Sequence, residues 1–271
     1  MSSHPFIDCR EPEPAEEPGN QGSSSLTGAL IINADDWGSD SETTDRISDC
    51  IRHGAVSSAS AMVFMADSQR AAELALESQI DVGLHLNLTT PFTAPRIPKL
   101  LLHHQQRVLR FLRGSRFAKV IFHPGLHQSF KYVVAAQLEE FQRLLSLEPA
   151  RIDGHHHIHL CANVLLADLL PHGTIARRNF SFQPGEKSIA NRLFRKIIDN
   201  RLSKRHRITD YFFSLPPFAP TERLERIVGL AKRSVVEVET HPLNPQEYRF
   251  LMDGSIFKLI GEVPVTSSYQ L

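Results

Sequence analysis

Neither sign of charge is in excess: 30 lysines and arginines balance 30 aspartates and glutamates. A dedicated nucleic-acid binder is basic overall, so that class is set aside. Cysteine is scarce, with 3 in 271 residues. Cys9, Cys50 and Cys161 form no CxxC pair, which argues against a disulfide framework and a thiolate zinc site. No apolar run approaches the roughly 18 residues of a membrane span. The N-terminus shows no basic region followed by an apolar stretch, so neither a transmembrane segment nor a secretory signal is expected. The expected location is the cytoplasm. A glycine-rich phosphate loop and a GxSxG nucleophile elbow are also missing.

What remains is an ordinary globular composition, 41% hydrophobic and 22% charged, long enough for one sizeable domain. Histidine stands out: there are 14, several of them clustered, which points to metal or acid–base chemistry. Residues 1–27 are acidic and proline-rich, with five acids and one arginine. They are expected to be a disordered extension, leaving residues 28–271 as a single domain of charge about +4, by subtraction. That body alternates strand-like and helix-like segments. Strands are expected at Ala29–Asn33, Val56–Phe64, Asp81–Leu88, Arg151–Leu160 and Ser234–Glu239. Helices are expected after Asp40, from about Asp67 to Ser78, at Tyr132–Leu147, Val164–Leu170, 186–207 and Gln246–Ile260. Residues 91–130 show no dominant period. Repeated strand–helix units imply a parallel α/β fold, either an open doubly wound sheet or a closed barrel.

Four segments place acids or histidines where such folds carry their sites, at the carboxyl ends of strands. Asn33-Ala-Asp35-Asp36-Trp-Gly38 follows an apolar strand; a turn can aim both carboxylates at one site, or one of them only caps the next helix. In Asp81–Leu88, Gly83, His85 and Asn87 share the face opposite the leucines. If Arg151–His159 is extended, Asp153, His155, His157 and His159 share one face, a ligand-rich surface for a transition metal. Glu237, Glu239 and His241 share a face of the last strand, and a terminal histidine suits an acid that protonates a leaving amine. With no obvious serine or cysteine nucleophile, metal-activated water is the simplest chemistry.

Asn33–Gly38, Val82–Leu88 and Ile152–His159, taken in order with the Gln137 region and Glu239–Pro242, resemble the YdjC-like carbohydrate deacetylases. That family includes chitooligosaccharide deacetylases and a hopanoid-biosynthesis-associated branch. The resemblance implies a (β/α) barrel, often distorted, often homodimeric, acting on an acetylated oligosaccharide or glycolipid. It assigns Asp36, His85 and His155 to one divalent metal, Mg2+ by family association, whereas two imidazoles and a carboxylate suit Zn2+. It makes Asp35 the general base and His241 the candidate acid. Asn87, Asp153, His157 and Arg177 become substrate-binding or supporting residues, Arg177 or Arg178 corresponding to a substrate-contacting arginine. Trp37 replaces a usual phenylalanine, and Ser39–Glu42 departs from the family loop. Two rivals stand beside this reading. One is a metal-dependent phosphoesterase using the basic run 192–207; the other is a non-catalytic protein using that run to bind an anionic polymer or membrane surface.

Overall fold

The computed structural model describes residues 27–182 and 186–267. The proposed extension at 1–27 therefore lies almost wholly outside the described residues. Strand β1 (Ala29–Trp37) forms from the apolar run Leu30–Ile32 and continues through both aspartates. After a turn at Gly38, Asp40 caps α1 (Ser41–Arg52), its carboxylate accepting from the Thr43 N–H at 2.9 Å. Next come β2 (Ser58–Ala61), α2 (Ser68–Ser78) and β3 (Asp81–Leu86). Two long helices, α3 (Lys99–Gly114) and α4 (His127–Leu145), precede β4 (Arg151–Gly154). The remainder is α5 (Ala162–Leu166), β5 (Ile175–Ala176), α6 (Ile189–Leu202), β6 (Tyr211–Ser214), α7 (Glu222–Leu230), β7 (Val235–Thr240), α8 (Pro245–Met252) and α9 (Ser255–Ile260).

The seven strands form one sheet in the order β5-β4-β3-β2-β1-β7-β6, and every strand pair is parallel. That order is cyclic, with its gap between β5 and β6. Arg177, one residue past β5, reaches carboxylates on β1, β4 and β7. Only a sheet rolled around its own interior allows those contacts. Two links span the gap: Ile175 bridges to Arg207, and the Ser181 N–H donates to the Phe212 carbonyl at 2.8 Å. The expected (β/α) barrel is thus present in distorted, seven-stranded form, and the doubly wound alternative is excluded.

The barrel interior is unusual in being polar. Ile31, Ile175 and Val235 make a small apolar floor. Above it, on the same strand faces, sit Asn33, Asp35, Ser60, Asp153 and Glu237, all buried. Asn33 donates to Asp35 at 2.7 Å and to Ser60 at 2.8 Å, and Ser60 donates to Asp153 at 2.6 Å. Gly83 makes room for this layer, because a Cβ there would lie 2.9 Å from the Arg151 guanidinium carbon. The main hydrophobic core lies outside the barrel, between the sheet and the helices. Among the described residues, no helix is long and apolar enough to cross a membrane.

Four readings of the sequence require correction. β4 stops at Gly154 rather than running to Leu160; His155–Leu160 coils into tight 3-10 turns with His156 and His157 at φ 55°. Gly154 permits the fold-back, since a Cβ there would lie 2.8 Å from the His159 backbone nitrogen. Residues 91–130, which show no period, contain the 16-residue α3. Its buried stripe includes Gln105, which donates to Thr90 O and accepts from the Phe92 N–H, so a polar residue interrupts the apolar pattern. The helix expected at Val164–Leu170 is the shorter α5, and the one expected at Gln246–Ile260 is divided into α8 and α9 at Asp253-Gly254.

Candidate active site

Asp35 and Asp36 both face the barrel mouth because β1 is irregular there. Ala34 pairs with Ala59 and Trp37 with Ala61, so three steps on β1 oppose two on β2. Asp36 absorbs the extra residue at φ 72°, a bulge that re-aims its side chain. The Asp36 Oδ1 lies 2.7 Å from His155 Nδ1 and 3.1 Å from His85 Nε2. Burial pushes the Asp36 carboxyl up, but the two imidazoles outweigh it and hold it well below the ordinary carboxylate range. His85 comes from β3 and His155 from the turn after β4, so three separate chain segments converge.

These donors fit a divalent cation. Donor atoms of Asp36, His85 and His155 all lie within 4.8 Å of one another. His85 Nδ1 is paired with Asp153 Oδ1 at 2.7 Å, which directs Nε2 at Asp36. A carboxylate behind a histidine in this way is the usual support of a metal ligand. A second triad, Asp35, His85 and Asp153, also has clustered donor atoms. Its two carboxylates are already occupied by a guanidinium, so the first triad is the better cation site. Burial lowers the His85 pKa, but Asp35 and Asp153 more than reverse this and drive it well up.

Arg177 is the hub. It is buried, with Nη1 and Nη2 gripping Asp35 at 2.6 and 2.7 Å, Nη2 on Asp153 at 2.8 Å and Nε on Glu237 at 2.7 Å. Burial raises the Asp35 carboxyl, and the Arg177 guanidinium together with His85 outweighs it, so Asp35 stays ionised. A side chain so enclosed positions Asp35 and cannot lie against a bound sugar; Arg178 is likewise committed, to Asp199. Asn87 is also a builder, its Oδ1 accepting from the Thr89 and Thr90 N–H groups and its Nδ2 donating to Thr90 O. Asp153 is fully buried behind His85.

The remaining histidines separate. His241 sits at the end of β7 in register with the Asp35 strand, its Nε2 4.0 Å from Asp35 Oδ2 and its N–H donating to Glu247 at 2.8 Å. His157 packs edge-on against Phe180, and burial with the nearby Arg177 charge takes its pKa down to about 3. His159 turns inward onto the Arg177 carbonyl at 2.8 Å. The shared histidine face expected from an extended strand does not form. His156 and His157 instead help to line a cavity of about 390 Å³.

Ser60 and Arg151 belong to the site's support and were not singled out from the sequence for it, whereas Glu237 was placed on the site-bearing face of its strand. The signal was available as parity: Ser58 and Ser60, like Arg151 and Asp153, alternate onto the interior face of their strands. Glu239 carries the strain of this crowding. Burial and the Asp35 charge raise its pKa well above the usual value, despite Arg177 Nη1 at 3.5 Å. A carboxyl raised on folding destabilises progressively as pH climbs from its unfolded value through its folded one. Glu239→Gln is therefore expected to raise Tm relative to the parent at pH 8 and to change it little at pH 4, as thermal melts at the two pH values would register.

Fold and site together define a (β/α)-barrel protein with an Asp–His–His donor set at its carboxyl mouth. The sequence profile of the YdjC-like proteins matches residues 29–256, and the chain belongs to that family. It is 28% identical over 162 residues to a carbohydrate deacetylase of Danio rerio, covering 58% of this chain and 50% of the relative. It is 30% identical over 141 residues to a chitooligosaccharide deacetylase of Klebsiella pneumoniae, covering 50% and 52%. The matched region thus spans about half the length of these curated relatives. A crystal structure from Enterococcus faecalis, provisionally assigned to cellobiose-phosphate cleavage, superposes with TM-score 0.61 at 19% identity, over 89% of this chain and 97% of that one. That likeness supports the fold.

Proposed function

We propose that the protein is a metal-dependent hydrolase that removes an N-acetyl group from an acetylated sugar. The observation that carries this reading is the convergence of Asp36 Oδ1 with His85 Nε2 and His155 Nδ1, next to an ionised Asp35 that is not among those three donors. The deacetylase names of the matched relatives support it. Asp36, His85 and His155 would hold a divalent cation, which when bound would supply Lewis acidity toward water and the acetamide carbonyl, and this suits a base as weak as Asp35.

The chain's own residues then divide the work. Asp35, fixed by Arg177 and by Asn33 Nδ2, accepts the water proton as the oxygen adds to the acetyl carbon. His241 gives a proton to the nitrogen as the C–N bond breaks, leaving acetate and a free amino sugar. Its 40% side-chain exposure leaves it open to exchange protons with solvent. Two imidazoles and one carboxylate favour zinc over magnesium on donor chemistry, against the family association with magnesium.

The phosphoesterase alternative needs cationic side chains free to face the donors. The basic run lies on and beyond α6, where Arg201 and Arg205 are engaged with Leu165 O and Asp168, and Arg177 is enclosed by carboxylates.

The test is acetate release from N-acetylated oligosaccharides and glycolipids. We expect turnover that disappears on chelation and returns with a divalent metal, zinc and magnesium being compared directly. Phosphate release from phosphorylated sugars without acetate release would overturn the reading.

A further inference from the structure

The candidate site leaves the basic run 192–207 unused. It holds seven lysines and arginines against one acid, Asp199, and Asp199 is turned inward to Arg178 and Asn179. A helix on the surface of a globular protein normally shows water its polar side. α6 instead exposes Ile189 (82%), Leu193 (58%) and Ile197 (58%), an i, i+4, i+8 row along one face, with Phe194 beside it. The exposed Arg192 and Lys196 form the adjoining row. The loop after α3 adds a second exposed apolar group, Phe117, Val120, Ile121 and Phe122, around the exposed Lys119. Val120 and Phe194 line the same cavity of about 390 Å³, so helix and loop border one surface.

We propose that α6 and the 117–122 loop form a docking face for an anionic lipid surface. The apolar row enters the headgroup–acyl boundary, and the neighbouring arginines and lysines extend from it to anionic headgroups, their aliphatic stems lying along the apolar row. Charge selects this occupant. A second copy of the chain meeting this face across a twofold axis brings two basic rows together. A nucleic acid satisfies the cations and leaves Ile189, Leu193 and Ile197 without an apolar partner. The cavity is lined also by His156 and His157, which directly follow His155 in the chain. The docking proposal stands independently of which bond the site cleaves.

Sedimentation of the full chain with lipid vesicles tests it. The chain is expected to bind vesicles of phosphatidylcholine mixed with phosphatidylglycerol, weakly or not at all those of phosphatidylcholine alone, and less as salt rises. The double variant Arg192→Gln with Lys196→Gln is expected to bind about 25-fold more weakly, at about fivefold per basic side chain near the surface. Leu193→Gln with Ile197→Gln is expected to weaken binding about tenfold or more with Tm unchanged, since both side chains face solvent. Failure of the native chain to sediment with the mixed vesicles overturns the proposal. So does vesicle and heparin binding that the apolar double variant leaves intact, which marks a general polyanion surface. So does a dimer on gel filtration that the same variant dissolves, which places a second copy on this face.

Discussion

Arg177→Met is expected to unfold the protein, or to lower its melting temperature by about 10 °C or more, at neutral pH. The guanidinium is the shared partner of Asp35, Asp153 and Glu237, all of them buried. Removing one member of a buried ion pair costs about 3–5 kcal/mol, because it leaves a charge out of water without compensation; here several charges are left at once. That is a large share of the roughly 5–15 kcal/mol by which domains are stable, and each kcal/mol is worth about 2–4 °C in a chain near this size. The pH dependence gives a second readout. Arg177 holds Asp35 and Asp153 below the ordinary carboxylate range, against a burial effect that raises them. Carboxyls depressed on folding contribute stability that is present above their unfolded pKa and is lost as pH falls through the folded one. In the variant those groups take up protons more readily, so its deficit against the parent is expected to narrow between pH 7 and about pH 4. Thermal melts across that range check both statements; an unchanged melting temperature at pH 7 would sink the hub role. Arg177→Lys keeps the charge and loses the planar fork, and is expected to fall between parent and Met variant.

The second large effect is on turnover. Asp35→Asn is expected to reduce acetate release by about 10²–10⁴-fold, the range of a positioned general base, while the chain still binds its divalent cation. The separation of roles is geometric. Asp36 lies between the two imidazoles, whereas Asp35 is directed at Arg177, and its Oδ2 is 4.0 Å from His241. The substitution also sets an uncharged amide against the Arg177 guanidinium in place of a carboxylate, so some loss of stability accompanies the loss of rate. Measuring kcat, metal stoichiometry and Tm on the same preparation separates the effects: activity lost with metal retained supports the base, and near-parent activity removes Asp35 from that role.

Several features of this site could be read directly from residue order. Asp35, Asp36, His85 and His241 fall at strand ends because β1, β3 and β7 are written in unbroken apolar or alternating segments, and a parallel α/β fold brings those ends to one mouth. Other features were not legible. The histidine run looks like one ligand face only if the chain stays extended. Gly154 and the two residues at φ 55° coil it instead, so His155 goes to Asp36, His157 to Phe180 and His159 to the Arg177 carbonyl. α3 was hidden because Gln105 sits in its buried stripe to satisfy a loop backbone.

Sequence alone therefore determined the parallel α/β class, the strand ends where acids and histidines gather and the residue types able to hold a cation. Those follow from local periodicity, which depends only on neighbours along the chain. Tertiary structure decided the rest. It chose a rolled barrel over an open sheet, made Arg177 an internal counterion rather than a substrate contact, and used a β-bulge to send two adjacent aspartates to different partners. Each of these depends on long-range contacts, such as the 142 residues separating Arg177 from Asp35, and on the need to pair every charge that the polar barrel interior removes from water.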